Sequence, residues 1–495
     1  MTTNPLFTEN RIEDLFRTRV IVITCALVTI IAGVFAAAIA IESTSVILLV
    51  ATFAVAALIL PRAWIPIALV VLIPLQFYFP VAGRLNLRGI FVFAVVAALR
   101  FGVHRMARKN SWRWSAWMLP ALLFVIAASI SAIAAENRYA AFKGIYDWLP
   151  IFAAAFVVSE AVTSTRWFER LLVGLVIAGL AEALLGIAQS LQSVGQIVQR
   201  LQMPLSGIVY QPNLLRDRLI DLSFNWVLDG RVIPFGTFIN AIDYAIFLAA
   251  ILMLGLGLTI DAKRVAQKIF WAVASGAMLG ALLMTFKGSG ILALAGGLMI
   301  FAFVYARQLD VRVRMFGLGV MLVGGFVVLA FEPVAQRILF LLQREAGMLT
   351  GVGRAAIWMQ LFAALPRQWL FGFGLNNAVG LVEPLPSLRG GEFVLVPTAP
   401  ESAYVAALVE TGIVGFILLV WFIVVVLRQA YRSASCTPRQ LGVFAALVAL
   451  FIGNLTVTGL TSDQNSFLFG ILIGIVFASA NDHTPIGNRE SETSS

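Results

Sequence analysis

Apolar residues fall along this chain in long unbroken blocks, not in alternation. A helix needs about 20 of them to cross the hydrocarbon of a bilayer. Fourteen blocks approach or reach that length: residues 20–41, 44–60, 63–79, 88–103, 116–135, 148–163, 168–192, 239–260, 268–286, 289–306, 315–331, 402–427, 440–459 and 465–480. The third is interrupted by Pro66 and Pro74, and the fourth is short. Continuous runs exclude a membrane β-barrel, whose strands alternate lipid-facing and lumen-facing residues. The first block follows Arg11, Arg17 and Arg19 without a small-residue cleavage pattern, so it is expected to be a retained span and not a signal peptide. The fold class expected is therefore all-α: a polytopic membrane helix bundle of about 14 transmembrane helices.

Composition sharpens that picture. Of the 495 residues 60% are hydrophobic and 12% charged, with mean hydropathy +0.94. Soluble domains carry about 25% charged residues, so a cytosolic enzyme, a secreted domain and a disordered chain are all excluded. The formal charge of +10 resembles a nucleic-acid signal until the positions are read. With the N-terminus inside, 21 of the 35 Lys and Arg fall in inner segments. Only Arg84, Arg88, Arg138, Lys143 and Lys287 fall in short outer loops. That is the bias of cytoplasmic loops, and it implies two cytoplasmic termini and no nucleic-acid partner. Cys25 and Cys436 are too few for a disulfide framework, and with only His104 and His483 no metal site is expected.

Two connections are long, 193–238 and 332–400, and both face outward in this topology. Loops of 46 and 69 residues are usually functional or disordered. Both are rich in Leu, Phe, Trp and Pro, which argues against disorder. In the second, Val334, Ile338, Leu341 and Leu342 share one helical face, and Ala355 to Leu365 forms a short apolar helix closed by Pro366. Such helices suit the outer membrane surface. The organisation expected is thus 1–331 as spans one to eleven with an extracytoplasmic loop at 193–238. A long helical extracytoplasmic loop follows at 332–400, then spans twelve to fourteen within 401–481, then a disordered cytoplasmic tail at 482–495.

The densest cluster of unusual residues starts at 351. Gly353-Arg354 opens a helix containing Trp358, and Pro366 precedes Phe371-Gly372-Phe373-Gly374. Then come Glu401-Ser402 and, ten residues after Ser402, Gly412-Ile413-Val414-Gly415 leading into an apolar block. Upstream lie Gly236-Thr237-Phe238 with Asn240 and Tyr244, and Thr285-Phe286-Lys287-Gly288. In this order the segments resemble the O-antigen ligase and polysaccharide polymerase family of bacterial inner-membrane glycosyltransferases. The resemblance covers roughly 230–425, with two departures: Glu401 stands where the family usually has histidine, with Ser402 beside it in place of an amide, and Lys287 where it usually has arginine.

The resemblance implies transfer of a glycan from a polyprenyl diphosphate carrier to a hydroxyl, with neither metal nor nucleotide cofactor. Its donor would be a polyprenyl-diphosphate-linked glycan held at the lipid bilayer, with a flippase and a chain-length regulator as further partners. Developing charge on a leaving diphosphate calls for fixed cations, and arginine's planar fork suits phosphate. The acceptor hydroxyl calls for a base. The catalytic residues implied are Glu401 as base with Arg354 and Lys287 at the diphosphate; Arg231, Ser402, Tyr404, Trp358 and Asp243 are candidates for substrate binding. Each has a plainer alternative. Arg354 can simply begin an interfacial helix, Lys287 can snorkel from a span end, and Glu401 with Ser402 can serve only as a helix start. Glu182 inside the seventh block is a functional candidate as an ionisable group in a span, or a hydrogen-bonding link between helices.

The leading function is polymerisation of lipid-linked repeat units into O-antigen or exopolysaccharide on the periplasmic face of the inner membrane. The nearest alternative is the ligase that moves a finished glycan to lipid A-core or protein. A lipid-linked oligosaccharide flippase is the alternative of another class. Transporters are usually built from repeated halves with sites near the midplane, whereas the candidates here cluster on the outer side.

Overall fold

The computed structural model describes residues 43–75, 78–82, 85–107, 114–192, 227–228, 231–238, 240–307, 354–383, 385–389, 392–396, 400–434 and 437–481. The apolar blocks 20–41 and 315–331, the helical pattern from Val334 to Leu342, most of the loop 193–238 and the tail 482–495 lie outside these residues. Within them the chain forms thirteen α-helices. These are α1 Ser43–Ile59, α2 Ile65–Leu72, α3 Gly89–Ala107, α4 Met118–Ala134, α5 Arg138–Ala161, α6 Thr165–Ser190 and α7 Ala241–Asp261. They continue as α8 Val265–Met284, α9 Gly288–Ala306, α10 Arg354–Ala364, α11 Ala403–Ala434, α12 Pro438–Gly453 and α13 Asp463–Asn481. Three small antiparallel hairpins pair Tyr78–Ala82 with Leu85–Arg88, Val227–Leu228 with Arg231–Val232, and Leu385–Arg389 with Glu392–Val396.

Among the described residues seven helices are long and apolar enough to cross a membrane: α3 and α5 to α9, with α11. The chain is therefore a multi-pass membrane protein, and the regular structure of its described residues is helical apart from the hairpins. The block 63–79 departs from expectation. It yields a one-turn 3₁₀ segment, Arg62–Trp64, the eight-residue α2, and then a strand from Tyr78. Eight residues rise only about 12 Å, so this block is not a spanning helix. Pro66 sits in the first turn, where its missing N–H costs nothing. Pro74 disfavours helix at the residue before it, and the chain leaves the helix there. A second departure lengthens a helix. α5 starts at Arg138, ten residues before the apolar block, because the Asn137 side chain accepts the Ala140 N–H at 3.0 Å and caps it.

α7 is the most enclosed helix, with buried side chains around its whole circumference, packed by α6, α8, α9 and α12. α5 and α13 form another close contact. Gly470-Ile471-Leu472-Ile473-Gly474 spaces two glycines four apart, the pattern that lets membrane helices approach backbone to backbone. A Cβ on Gly470 would stand 2.5 Å from the Ile151 carbonyl oxygen, and one on Gly474 would stand 2.5 Å from Val158 Cβ. At one end of the bundle Arg100 donates to the carbonyls of Ala57 and Leu60 at 2.9 and 2.6 Å, satisfying the end of α1. At that end too Arg105 pairs with Glu160, and Arg439 with Glu169 and Asp261. The residues of the recognised motifs gather at the opposite end.

Candidate functional site

The site is organised by a break in α11. Gly412 has φ 66° and ψ −172°, which no helix contains. A broken turn inside a membrane leaves backbone groups that the protein must satisfy. Here the segment Trp369–Gly374 does so. Ile413 and Val414 donate their N–H groups to the carbonyls of Trp369 and Leu370 at 2.9 and 3.3 Å. In return Phe373 and Gly374 donate to the carbonyls of Val409 and Glu410 at 3.1 and 2.8 Å. The fit leaves no room for side chains. A Cβ on Gly372 would lie 2.4 Å from the Gly412 nitrogen, and a Cβ on Gly412 would lie 2.4 Å from the Leu370 carbonyl. The glycines 372, 374 and 412, legible only as spaced motifs, are thus two halves of one interlock.

Glu410 secures it. Its buried carboxylate accepts the backbone N–H groups of Asn376 and Ala378, the second at 3.3 Å, and so holds the start of the 3₁₀ turn Ala378–Leu381. Its carbonyl also accepts Ser131 Oγ from α4 at 2.7 Å. Against this platform α10 lays Ile357 and Leu361, packed with Ala378, Val382 and Val409. Four residues apart on α10, Arg354 and Trp358 share a face and reach consecutive residues of the 400–401 segment. Arg354 Nε donates to Glu401 Oε2 at 2.6 Å, and Trp358 Nε1 donates to the Pro400 carbonyl at 2.8 Å. Arg354 is 23% exposed and Glu401 42%.

Glu401 itself has φ 48°. Among the described residues the non-glycine positions with positive φ are Phe286, Asn376 and Glu401. They adjoin Lys287, the Gly372–Gly374 turn and Ser402. Left-handed non-glycine residues are costly and concentrate at functional sites. Two residues after Glu401, the Ala403 N–H is shared between the carbonyls of Asn454 and Val457 at 3.1 and 3.0 Å. That loop also contacts the Lys287 segment, because Thr456 Oγ1 donates to Ser289 Oγ at 2.8 Å. Lys287 is the N-cap residue of α9, with its backbone N–H on Thr285 Oγ1 at 3.3 Å. Arg354 and Glu401 are therefore in contact, and Lys287 stands two residues from Ser289, which bonds the loop that holds Ala403.

The remaining sequence-derived candidates are placed differently. Ser402 is 2% exposed, and its Oγ accepts the Val405 N–H at 3.4 Å as an N-terminal cap of α11. Tyr404 donates its hydroxyl to the Phe451 carbonyl at 2.9 Å, tying α11 to α12. Asp243, 6% exposed, is linked to Asn240 both ways. Its N–H donates to Asn240 Oδ1 at 2.7 Å, and its Oδ2 accepts Asn240 Nδ2 at 2.6 Å. Arg231 lies in the strand paired with Leu228, and its side chain is outside the described residues.

Glu182 has a clear occupation. Its carboxylate accepts Thr237 N–H at 3.0 Å and Thr237 Oγ1 at 2.6 Å. One helical repeat later Gln189 accepts the N–H groups of Phe235 and Gly236 at 3.1 and 2.8 Å and donates to the Gly236 carbonyl at 2.8 Å. Gln464 on α13 then donates to the Thr237 carbonyl at 3.3 Å. The Gly236-Thr237 stretch is thereby stitched between α6 and α13, and Glu182 acts as its anchor. Sequence reading missed Glu410, Gln189 and Asn454. For Glu410 a signal existed: a carboxylate two residues before Gly412 in an apolar run. Gln189 and Asn454 carry no such mark.

Comparison with known proteins bears on the same segments. No curated protein matches the chain. Residues 273–420 match the family model described as O-antigen ligase (Wzy_C). The match includes Lys287, Arg354, Trp358, the Gly372–Gly374 turn, Glu401 and the Gly412 break. Members of that family are membrane glycosyltransferase-like enzymes. This match over residues 273–420, under a third of the chain, supports a likeness to the O-antigen ligase and polysaccharide polymerase family.

Proposed function

We propose that this protein is a polymerase that joins polyprenyl-diphosphate-linked oligosaccharide repeats into a surface polysaccharide. It would work at the periplasmic face of the inner membrane, with both termini in the cytoplasm. The observation that carries the reading is the contact of Arg354 with Glu401, a cation and a carboxylate brought together from segments 47 residues apart. The reaction asks for that combination. Arg354, with Lys287, binds the diphosphate and stabilises the charge that develops as it leaves. Glu401 takes the proton of the attacking hydroxyl, a role worth typically about 10²–10⁴-fold. The interlock at Gly412 and the Trp358–Pro400 hydrogen bond hold the two halves of the site in register. A flippase delivering the repeat and a regulator of chain length are the partners this activity calls for.

The ligase reading draws on the description of the matching family, and differs only in acceptor. One assay separates the readings. Purified full-length protein is reconstituted with a polyprenyl-diphosphate-linked repeat, and products are resolved by size. A ladder of lengthened lipid-linked glycans, lost in Arg354→Ala and Glu401→Ala, is the expected outcome. Product only when lipid A-core or a protein acceptor is added assigns the ligase. Transbilayer movement of the lipid with no new glycosidic bond overturns both.

A further inference from the structure

The Arg354–Glu401 contact sets a condition on the order of events. The residue that is to bind the diphosphate and the residue that is to take the proton are bound to each other at 2.6 Å. In that arrangement the Nε edge of the guanidinium, one of the edges that can grip a phosphate with paired N–H groups, is already taken by the carboxylate. A diphosphate placed on Arg354 Nε must displace Glu401 Oε2, and a carboxylate left beside it would face a like charge. The displaced side chain has freedom to move. Glu401 is 42% exposed, while its backbone is anchored on both sides, by Trp358 on the Pro400 carbonyl and by the Asn454 and Val457 carbonyls on the Ala403 N–H. The swing is therefore confined to the side chain.

The geometry points to a donor-released latch: the diphosphate of the glycan donor takes Arg354 from Glu401, and the freed carboxylate turns to the acceptor hydroxyl. This rests on the transferase reading above. The order that follows is donor first, acceptor second. In the step itself the acceptor O–H gives its proton to Glu401 and its oxygen bonds to the anomeric carbon. The bond from that carbon to the phosphate oxygen breaks, and the electron pair leaves with the polyprenyl diphosphate on Arg354. Departure of the diphosphate returns Arg354 to Glu401, whose proton passes to water. Without donor, the guanidinium occupies the carboxylate.

Binding of geranylgeranyl diphosphate to the purified full-length protein tests the latch without needing turnover. Half-exposed ion pairs are weak, so removing the competitor is worth roughly a two- to fivefold change in affinity. Glu401→Gln is expected to tighten binding by that factor while abolishing transfer. Simple like-charge repulsion predicts tightening too, and a double-mutant cycle separates the two. For a latch the gain from Glu401→Gln disappears in an Arg354→Gln background; for repulsion it persists, and the latch is wrong. Glu401→Asp covers the case in which Arg354→Gln does not fold. It keeps the charge and shortens its reach by about 1.5 Å, so a latch, which needs contact, gives nearly the full Glu401→Gln gain, whereas repulsion, which falls only gradually with distance, gives a small part of it. Unchanged affinity in Glu401→Gln, in a protein whose wild type transfers glycan, overturns the latch alone. A wild type that binds the diphosphate and forms no glycosidic bond overturns the transferase reading instead.

Discussion

Two arginine–carboxylate contacts sit at opposite ends of the bundle, and their exposure does not tell them apart. Arg439 is 26% exposed, with Glu169 and Asp261 at 44% and 24%; Arg354 is 23% exposed, with Glu401 at 42%. The backbone does. Arg439, Glu169 and Asp261 stand near the ends of three regular helices, α12, α6 and α7, and their pairing ties those ends together. Arg354 begins a short helix seated on a non-helical interlock, and Glu401 is held left-handed. A pair that only stabilises can be built on ordinary helix ends. A pair built on strained backbone indicates that its geometry serves something besides stability.

The largest effect breaks this comparison at the Glu401 end. Glu401→Ala is expected to lower transfer per folded molecule by about 10²–10⁴-fold. Arg439→Ala is expected to leave it unchanged and to cost about 1 kcal/mol of stability, the scale of a partly exposed pair. Turnover normalised to folded protein, beside thermal unfolding of both variants, checks this. Equal losses of turnover would remove the distinction between the two ends.

A smaller effect is expected at the interlock beneath the Arg354–Glu401 pair. Gly412→Ala places a methyl 2.4 Å from the Leu370 carbonyl, at a φ and ψ that only glycine adopts readily. The backbone conformation alone costs about 1–3 kcal/mol, and the clash adds to it, because both partners are main chain. Folded yield and unfolding midpoint should both drop. Gly102→Ala is the matched control: its Cβ would meet nothing within 4 Å, inside a regular helix. There alanine is favoured by roughly 0.5–1 kcal/mol, so the midpoint should hold or rise. A Gly412→Ala protein as stable as Gly102→Ala would show that the segment 369–374 does not hold the break.

The motif-bearing end also marks how far sequence reaches. Apolar run length located the described helices except over 63–79, where the runs flanking Pro74 read as one block and fold as a short helix and a strand. Polar first turns hid the start of α5, because run length does not see a capping asparagine such as Asn137. At the site, Arg354, Trp358 and Glu401 stood out by type and order, but no rule of spacing says that Arg354 reaches Glu401 across 47 residues. The glycine motifs were legible and their partnership was not. An interlock between 369–374 and 409–414 is a long-range backbone pairing, and single-sequence periodicity carries only local information. Glu182 illustrates the opposite error. An ionisable residue in a span draws attention by its cost, and here its carboxylate is occupied in binding Thr237.

The smallest expected effect concerns Tyr404, which is near Glu401 in sequence and can belong to either side of the comparison. Its hydroxyl donates to the Phe451 carbonyl at 2.9 Å, and its ring packs against the buried core. Tyr404→Phe keeps the ring and deletes one hydrogen bond, a loss of about 0.5–1.5 kcal/mol. If Tyr404 only joins α11 to α12, as Arg439 joins its helices, the variant loses that stability and nothing else. Its KM for the lipid-linked donor then equals the wild-type value. A raised KM with an unchanged unfolding midpoint would instead place the hydroxyl on substrate, and extend the site into the first turn of α11. Because the carbonyl it reaches lies two residues before Gly453, at the end of α12, the first outcome is the one the geometry supports.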